Sequence, residues 1–396
     1  MKNKRILKTA IAVTMLLFLM ITSLSKTKVY AAQENSDYMI PIETEGMPTL
    51  EEILEDENSI DDDELLKEEQ ALDEEYLNRN VEVTDSSTTE EVDSEIVTFS
   101  SNGTTVKYHF IDTTGSGGGD ATLIEARDRY YLVDGGPARG VERLKKYLSS
   151  HCTKKNGKIE IHVAIVTHNH TDHYEGVRAI LNDVTNFRVK KVLKTCIKPN
   201  SDLDAACNKS KKANETIIQV LQVGEIVKLV SHAGTQITVY GPSDTYENVG
   251  GQDSTKVNNL SMIVKVDSVD KLIIMGDLYY PGFVRAFGKY GTDLFSGDYS
   301  VCKVGHHGIR NGGETGDSEE SIKKLNQEIQ MYEDYIYADE YIFTAANKTK
   351  NNIVYKNNYK RFKKGLGGSD WVKETSVSGN ICIICDDNNF DVKTEK

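Results

Sequence analysis

The sequence predicts an α/β fold in which two β-sheets pack face to face with helices on their outer sides. Two observations predict it. Short apolar strands recur in two runs, each with amphipathic helical segments interspersed, and elements apolar on one face must bury that face against another layer. Several of these strands end in glycine turns or in histidine and aspartate, and no internal repeat relates the two runs. With 396 residues the chain has room for one such domain plus appendages.

The elements follow in order. "MKNKRILKTAIAVTMLLFLMITSLSKTKVYAAQEN" has a basic start (Lys2, Lys4, Arg5, Lys8), an apolar stretch from Ile11 to Leu24, and small residues at "VYAA". That is the layout of a secretory signal peptide over residues 1–32, cleaved after Ala31 or Ala32. An uncleaved anchor is the alternative. The apolar core is shorter than the roughly 20 residues a spanning helix needs, and Thr14 and Thr22 interrupt it. The product is expected to be exported, secreted or surface-held, with no membrane span after cleavage.

Residues 33–96 are expected to be an acidic, disordered or loosely helical linker. Residues 1–95 hold 8 Lys and Arg against 24 Asp and Glu, whereas the rest of the chain holds 39 against 37. The overall net charge of −14 therefore belongs to a segment, "LEEILEDENSIDDDELLKEEQALDEEYLNRN". Such a run repels itself and buries little apolar surface. The compact domain spans 97–394 and is close to neutral, so it lacks the basic face expected of salt-sensitive duplex DNA binding.

Within that domain "TVKYHFID" and "ATLIEARDRYYLVDGG" read as strands, "GVERLKKYLSS" as a helix and "IEIHVAIVTHNH" as a strand. A helix, "YEGVRAILNDV", follows a cap at Thr171 or Asp172. "VKKVLKT" is a strand, and "KANETIIQVLQVG" is predicted helical. "TQITVYGP", "SMIVKVDSVDKLIIMGD" and "YSVCKVGHHG" supply four more strands. The helix "DSEESIKKLNQEIQMY" and the strands "YIFTAA" and "SGNICIICD" complete the domain. Of six cysteines, Cys196 and Cys207 flank what reads as a polar loop and are the expected disulfide of an exported chain. Cys382 and Cys385 lie an odd number of residues apart on a strand, hence on opposite faces, and are expected in the core.

The chemistry concentrates in "VAIVTHNHTDHYEG", where three of the chain's nine histidines and an aspartate fall within six positions after a buried strand. Strand residues two apart share a face, so His168 and His170 aim at one point as the chain leaves the sheet. Asp172 and His173, at the start of a helix, face an adjacent point. Imidazole with carboxylate suits zinc or another first-row divalent ion. Two adjacent points imply two ions, which need a bridging carboxylate and a further histidine. Asp277 in "LIIMGDLYY" and His306 and His307 in "VCKVGHHGIRN" follow apolar strands, where an unpartnered carboxylate would be costly.

These residues carry a resemblance. "THNHTDH", preceded by "LVDGG" and followed by "IIMGD" and "VGHHG", resembles the metallo-β-lactamase superfamily. Within it the chain is similar to the branch holding the nuclease domain of ComEC/Rec2 competence proteins, and to secreted teichoic-acid phosphorylcholine esterases. The similarity covers roughly residues 98–394 and is specific for fold more than for substrate. It implies a four-layer αββα sandwich with two divalent metal ions, zinc first and manganese as the alternative, at one edge. Carried over, His168 and His170 would hold the first ion, Asp172 and His173 the second, Asp277 would bridge, and His307 would be the late ligand. Asp134 in "VDGG" would brace the metal loop by hydrogen bonds, and Asp120 would shape the same edge. The stretch "NNLSMIVKV" matches the branch's Asn-x-x-Ser strand, and Asn259 and Ser261, with Tyr174, are expected on the substrate side.

Three departures stand out. Many members place a histidine between the H-x-H-x-D-H block and the bridging aspartate, where this chain has only His232, so His306 is expected to complete the first site. "DHYEG" replaces "DHIGG". Asn347 is followed by no His-Pro pair, unlike the competence nucleases. A water between two divalent ions loses its proton near neutral pH, and Asp172 or Asp277 would orient it or take the proton. The expected activity is hydrolysis of a phosphodiester, in a cell-envelope polymer or a nucleic acid. The alternatives are an extracellular DNA nuclease and a non-catalytic metal-binding surface protein; the buried carboxylates that such a protein would keep argue against the latter.

Overall fold

The computed structural model describes residues 105–113, 118–230, 235–295, 297–308, 319–344, 360–386 and 389–395, with Glu51, Leu54 and Ala71 as isolated helical positions. The expected signal peptide, the rest of the acidic segment, His232 and Asn347 lie outside the described residues. Among the described residues no helix is long and apolar enough to cross a membrane.

The first run of strands comprises β1 (Val106–Phe110), β2 (Thr122–Ala126), β3 (Arg129–Val133), β4 (Lys154–Lys155), β5 (Lys158–Val166), β6 (Phe187–Thr195) and β7 (Ile217–Leu221). The second comprises β8 (Ile226–Val230), β9 (Gln236–Tyr240), β10 (Ile263–Asp267), β11 (Leu272–Ile274), β12 (Tyr299–Lys303), β13 (Ala338–Phe343) and β14 (Val372–Glu374). β15 (Asn380–Cys385) and β16 (Phe390–Glu395) then return to the first sheet. The first sheet runs β16-β15-β1-β2-β3-β5-β6-β7, with β4 on β5; the second runs β14-β13-β12-β11-β10-β9-β8.

The two sheets meet over one core, in which Tyr108, Ile124, Val133, Val163 and Ile165 face Val239, Met262, Val264, Ile274 and Val301. Helices α1 (Val141–His151), α2 (Thr171–Asn182) and α3 (Ser201–Asn214) cover the outer face of the first sheet through Leu144, Leu148, Val177, Leu181 and Leu203. After α4 (Asp253–Asn259), helices α5 (Tyr280–Tyr290) and α6 (Glu319–Met331) do the same for the second sheet through Phe283, Val284 and Leu325. The architecture is the predicted αββα sandwich. β5 shows why its sequence is nearly all apolar: Val163 and Ile165 enter the inter-sheet core, while Ala164 and Val166 enter the core under the helices.

Two expectations change. "KANETIIQVLQVG" is not one helix. α3 ends at Asn214, Glu215 turns into the left-handed region (φ 59°), and the β-branched Ile217, Ile218 and Val220 form edge strand β7. The polar segment between Cys196 and Cys207 is largely α3 itself, started by the Asn200 side chain, which accepts from Asp202 N and Leu203 N. All six cysteines are free. Cys207 is buried beside Leu203 and Ala206, whereas Cys196 packs with Ile197 and Val257, so the two thiols serve different clusters. Cys382 and Cys385 are buried on β15, as expected.

Chain direction collects the functional residues at one edge. β3 and β5 run parallel, as do β11, β12 and β13. Ligand sites in α/β sheets form beyond the carboxyl ends of such strands. Asp134 follows β3, His168 follows β5, Asp277 follows β11, His306 and His307 follow β12, and Asp120 precedes β2, whose direction is opposite to that of β3.

Candidate metal centre

The H-x-H-x-D-H block is held by a web of main-chain bonds. Asp120 N donates to Asp172 O (3.1 Å), Gly135 N to His173 O (2.7 Å) and Gly176 N to Gly136 O (3.1 Å), tying the β1–β2 and β3–α1 loops to the first turn of α2. The contact requires glycine: a Cβ on Gly176 would lie 2.0 Å from Gly135 O. His170, extended at φ −90° and ψ 150°, occupies the N-cap of α2, in place of the expected Thr171 or Asp172. Across the gap, Met262 N donates to Thr167 O at 2.9 Å and joins the second sheet to the metal loop.

Each of two histidines is backed by a carboxylate. The Asp134 carboxylate accepts from Thr167 N (2.8 Å), Thr167 Oγ1 (2.7 Å) and His173 Nδ1 (2.9 Å). It therefore ties loop and ring together. Asp120 Oδ1 accepts from His307 Nδ1 at 2.8 Å and from Thr344 Oγ1 at 2.5 Å. With Nδ1 so engaged, both rings turn Nε2 into the site.

The Nε2 atoms converge on a single oxygen. Asp277 Oδ2 lies 3.0 Å from His173 Nε2, 3.4 Å from His307 Nε2, 3.6 Å from His168 Nε2 and 4.0 Å from His306 Nε2. Asp277 is only 1% exposed. Buried polar atoms ordinarily find partners, yet His168 Nε2 and Asp277 Oδ1 have no hydrogen-bond partner. Two sets of donor atoms lie within 4.8 Å of one another, Asp120, His173, Asp277 and His307 in one and His168, His170 and Asp277 in the other. Asp277 belongs to both. Asp172 Oδ2 approaches His307 Nε2 at 3.0 Å, beside the set that contains His307. This donor chemistry fits divalent cations.

Protonation separates the sets. Burial lowers the pKa of His168 and of His170, and the neighbouring His173 lowers His168 further. Burial also opposes charge on His173, but Asp277, Asp134 and Asp172 outweigh it and raise that ring to about 10. His307 is likewise raised, against burial, by Asp277 and Asp120. Burial works against the Asp120 carboxylate too, yet Lys303 and His307 hold it at about 2. Asp172 and Asp277 are depressed in the same way, burial being overcome chiefly by His173.

The remaining expected residues stand elsewhere. His306, at φ 46°, meets the Tyr279 hydroxyl at 3.2 Å through Nε2 and sits at the margin of the first site. Asn259 and Ser261 do not face substrate: Tyr279 N donates to Asn259 Oδ1 (3.2 Å) and Asp277 N to Ser261 Oγ (3.1 Å), so both shape the Asp277 loop from below. Tyr174 is buried in the core under α1–α3, because one residue past His173 the helix has turned away from the site. Sequence reasoning missed Lys303, Thr344 and Tyr279. The signal for Lys303 was a lysine inside the otherwise apolar strand "YSVCKVG".

Residues 114–190, which include Asp120, Asp134 and the whole H-x-H-x-D-H block, match the family model of the metallo-beta-lactamase superfamily. No curated protein matches the sequence. Among solved structures, the metallo-beta-lactamase fold protein YhfI from Bacillus subtilis is similar at 12% identity and a TM-score of 0.40, over 68% of this chain and 96% of that one. Zn(2+)-bound PqqB from Methylobacterium extorquens is similar at 12% identity and 0.40, over 67% and 97%. The short form of human tRNase Z is similar at 12% identity and 0.34, over 60% and 91%. The H-x-H-x-D-H half of the site thus lies within a metallo-beta-lactamase superfamily match, on a domain of αββα architecture.

Proposed function

We propose that the chain is an exported, metal-dependent hydrolase of phosphodiesters, in a cell-envelope polymer or a small ester ahead of duplex DNA. The observation that carries the reading is the convergence of four imidazole Nε2 atoms on Asp277 Oδ2 within 3.0–4.0 Å, with partnerless polar atoms among them. Two divalent ions, zinc or alternatively manganese, supply when bound an acidified water and a sink for developing negative charge.

The chain's own residues do the rest. His168 and His170 would hold one ion and His173, Asp172 and His307 the other, with Asp277 between them. Asp134 and Asp120 keep two of the rings from turning. Asp172 is less deeply buried than Asp277, so its carboxylate is the one placed to orient an incoming water and take its proton. A pair of adjacent ions suits in-line displacement at phosphorus. The competence-type strands and the esterase resemblance support the same bond class, and the domain's near-neutral charge favours envelope or small esters over duplex DNA.

The test uses the full chain loaded with zinc or with manganese. Bis-(p-nitrophenyl) phosphate and p-nitrophenyl phosphorylcholine are expected to turn over, and nitrocefin to remain intact. Cleavage of single-stranded DNA alone would move the assignment to a nuclease. No turnover of any phosphodiester by ion-loaded protein would remove it.

A further inference from the structure

The site contains a buried cation that the reading above does not use. Lys303, the last residue of β12, is completely buried. Its ammonium ion-pairs with Asp120, donates to Gly276 O at 3.0 Å and lies 3.8 Å from Asp277 Oδ1. Burying an ammonium is costly unless good partners surround it, and β12 is buried along its whole length, so this lysine must find its partners inside the protein.

Its partners come from both sheets. Asp120 precedes β2 of the first sheet, while Gly276 and Asp277 follow β11 of the second. Gly276 sits at φ 54°, and a Cβ there would meet Ser261 Cβ at 2.6 Å, so the carbonyl that Lys303 grips belongs to a turn with little freedom. The other oxygen of Asp120 carries His307 Nδ1. Lys303 thus fixes the orientation of the carboxylate that orients His307. It also occupies the Oδ1 side of Asp277, leaving Oδ2 toward the imidazoles.

We infer that Lys303 is a positioning residue that acts through Asp120 to assemble the His173–His307 half of the site, and not the His168–His170 half. The asymmetry follows from connection. His168 and His170 leave the same strand of the first sheet, so their mutual geometry needs no joint. His307, from the second sheet, reaches the first across a gap that Asp120 and Lys303 help to close behind its Nδ1, opposite the contact of its Nε2 with Asp172. The inference rests on the reading of the site as a two-ion centre.

A double-mutant cycle on the full chain tests it, with stepwise zinc affinities from competition titration and ion counts from elemental analysis. Lys303→Met and Asp120→Asn are each expected to weaken the second ion by about 10–100-fold, the usual effect of losing an outer partner of a ligand. The first ion should change little. If Lys303 acts through Asp120, the double variant loses no more than the worse single variant. Multiplied effects in the double variant, or equal loss of both ions in Lys303→Met, would overturn the inference. Should Lys303→Met not fold, the Lys303→Met/Asp120→Asn chain, which buries no unpaired member of this ion pair, decides: wild-type affinity for the second ion would overturn it. Failure of the wild-type chain to bind any ion would instead take down the two-ion reading, and this inference with it.

Discussion

The two halves of the candidate centre use the same side chain and give it opposite states. His168 and His170 have lowered pKa values because they are buried, and His168 Nδ1 faces only a neutral hydroxyl, Thr167 Oγ1 at 3.1 Å. His173 and His307 are buried as well, yet both are raised, and each has a carboxylate against Nδ1. Asp277 in front of these two rings, together with the carboxylate behind each, therefore outweighs burial in this half. One half is neutral and ready to bind a cation. The other holds protons in a place a cation would take, and a cation must displace them.

Removing what the halves share should have the largest effect. Asp277→Asn is expected to abolish activity and leave neither ion after dialysis, because both donor sets contain Asp277. His170→Ala should abolish activity while emptying its own half only. Retention of one tightly bound ion by Asp277→Asn would show that the halves are independent sites.

The next effect is the response to pH. In the ion-free chain, His173 and His307 have folded pKa values above the unfolded value of about 6.5. Their stabilisation is full below that value and is lost as pH rises through about 10 for His173. Asp120 has the opposite sign: its contribution is present above about 3.9 and lost as pH falls through about 2. His168 and His170, whose folded pKa values are lowered, favour the folded chain above about 6.5 and lose that contribution as pH falls, so the melting temperature in chelator is expected to be highest near pH 6.5 and to decline above it. Ion binding should show the reverse trend in the second half, releasing protons near neutrality, which calorimetry in buffers of different ionisation enthalpy would detect. A chelated melting temperature that climbs from pH 7 to 10 would break the proposed contrast.

How much of this was legible in sequence depends on whether the partners are local. His168, His170, Asp172 and His173 are contiguous, so strand period and helix start were enough to converge them. Asp277 and His307 showed themselves as polar residues after apolar strands. Lys303 did not, because a lysine in a strand reads as solvent-facing until β12 is known to lie between β11 and β13. Asn259, Ser261 and Tyr174 were misplaced for a related reason. Their types suit substrate contact, but whether a side chain looks into a cleft or beneath a loop is fixed by tertiary packing. β7 was misread because Ile217, Ile218, Val220 and Leu221 satisfy both helical and strand spacing over so short a run.

The smallest expected effect sharpens the boundary between the halves. The sequence assigns His306 to the first ion, but its Nε2 lies closer to Tyr279 OH (3.2 Å) than to Asp277 Oδ2 (4.0 Å). A ring shared in this way contributes less to an ion than one aimed only at it. His306→Ala is accordingly expected to weaken the ion of the His168–His170 half by about 10-fold, the low end for an outer partner, without emptying it. Tyr279→Phe frees the same Nε2 and should leave that affinity equal or tighter. If His306→Ala removes one full equivalent, His306 is a ligand and replaces the missing middle histidine. If Tyr279→Phe weakens the ion as much as His306→Ala does, the phenol positions the ring for that ion and does not compete with it.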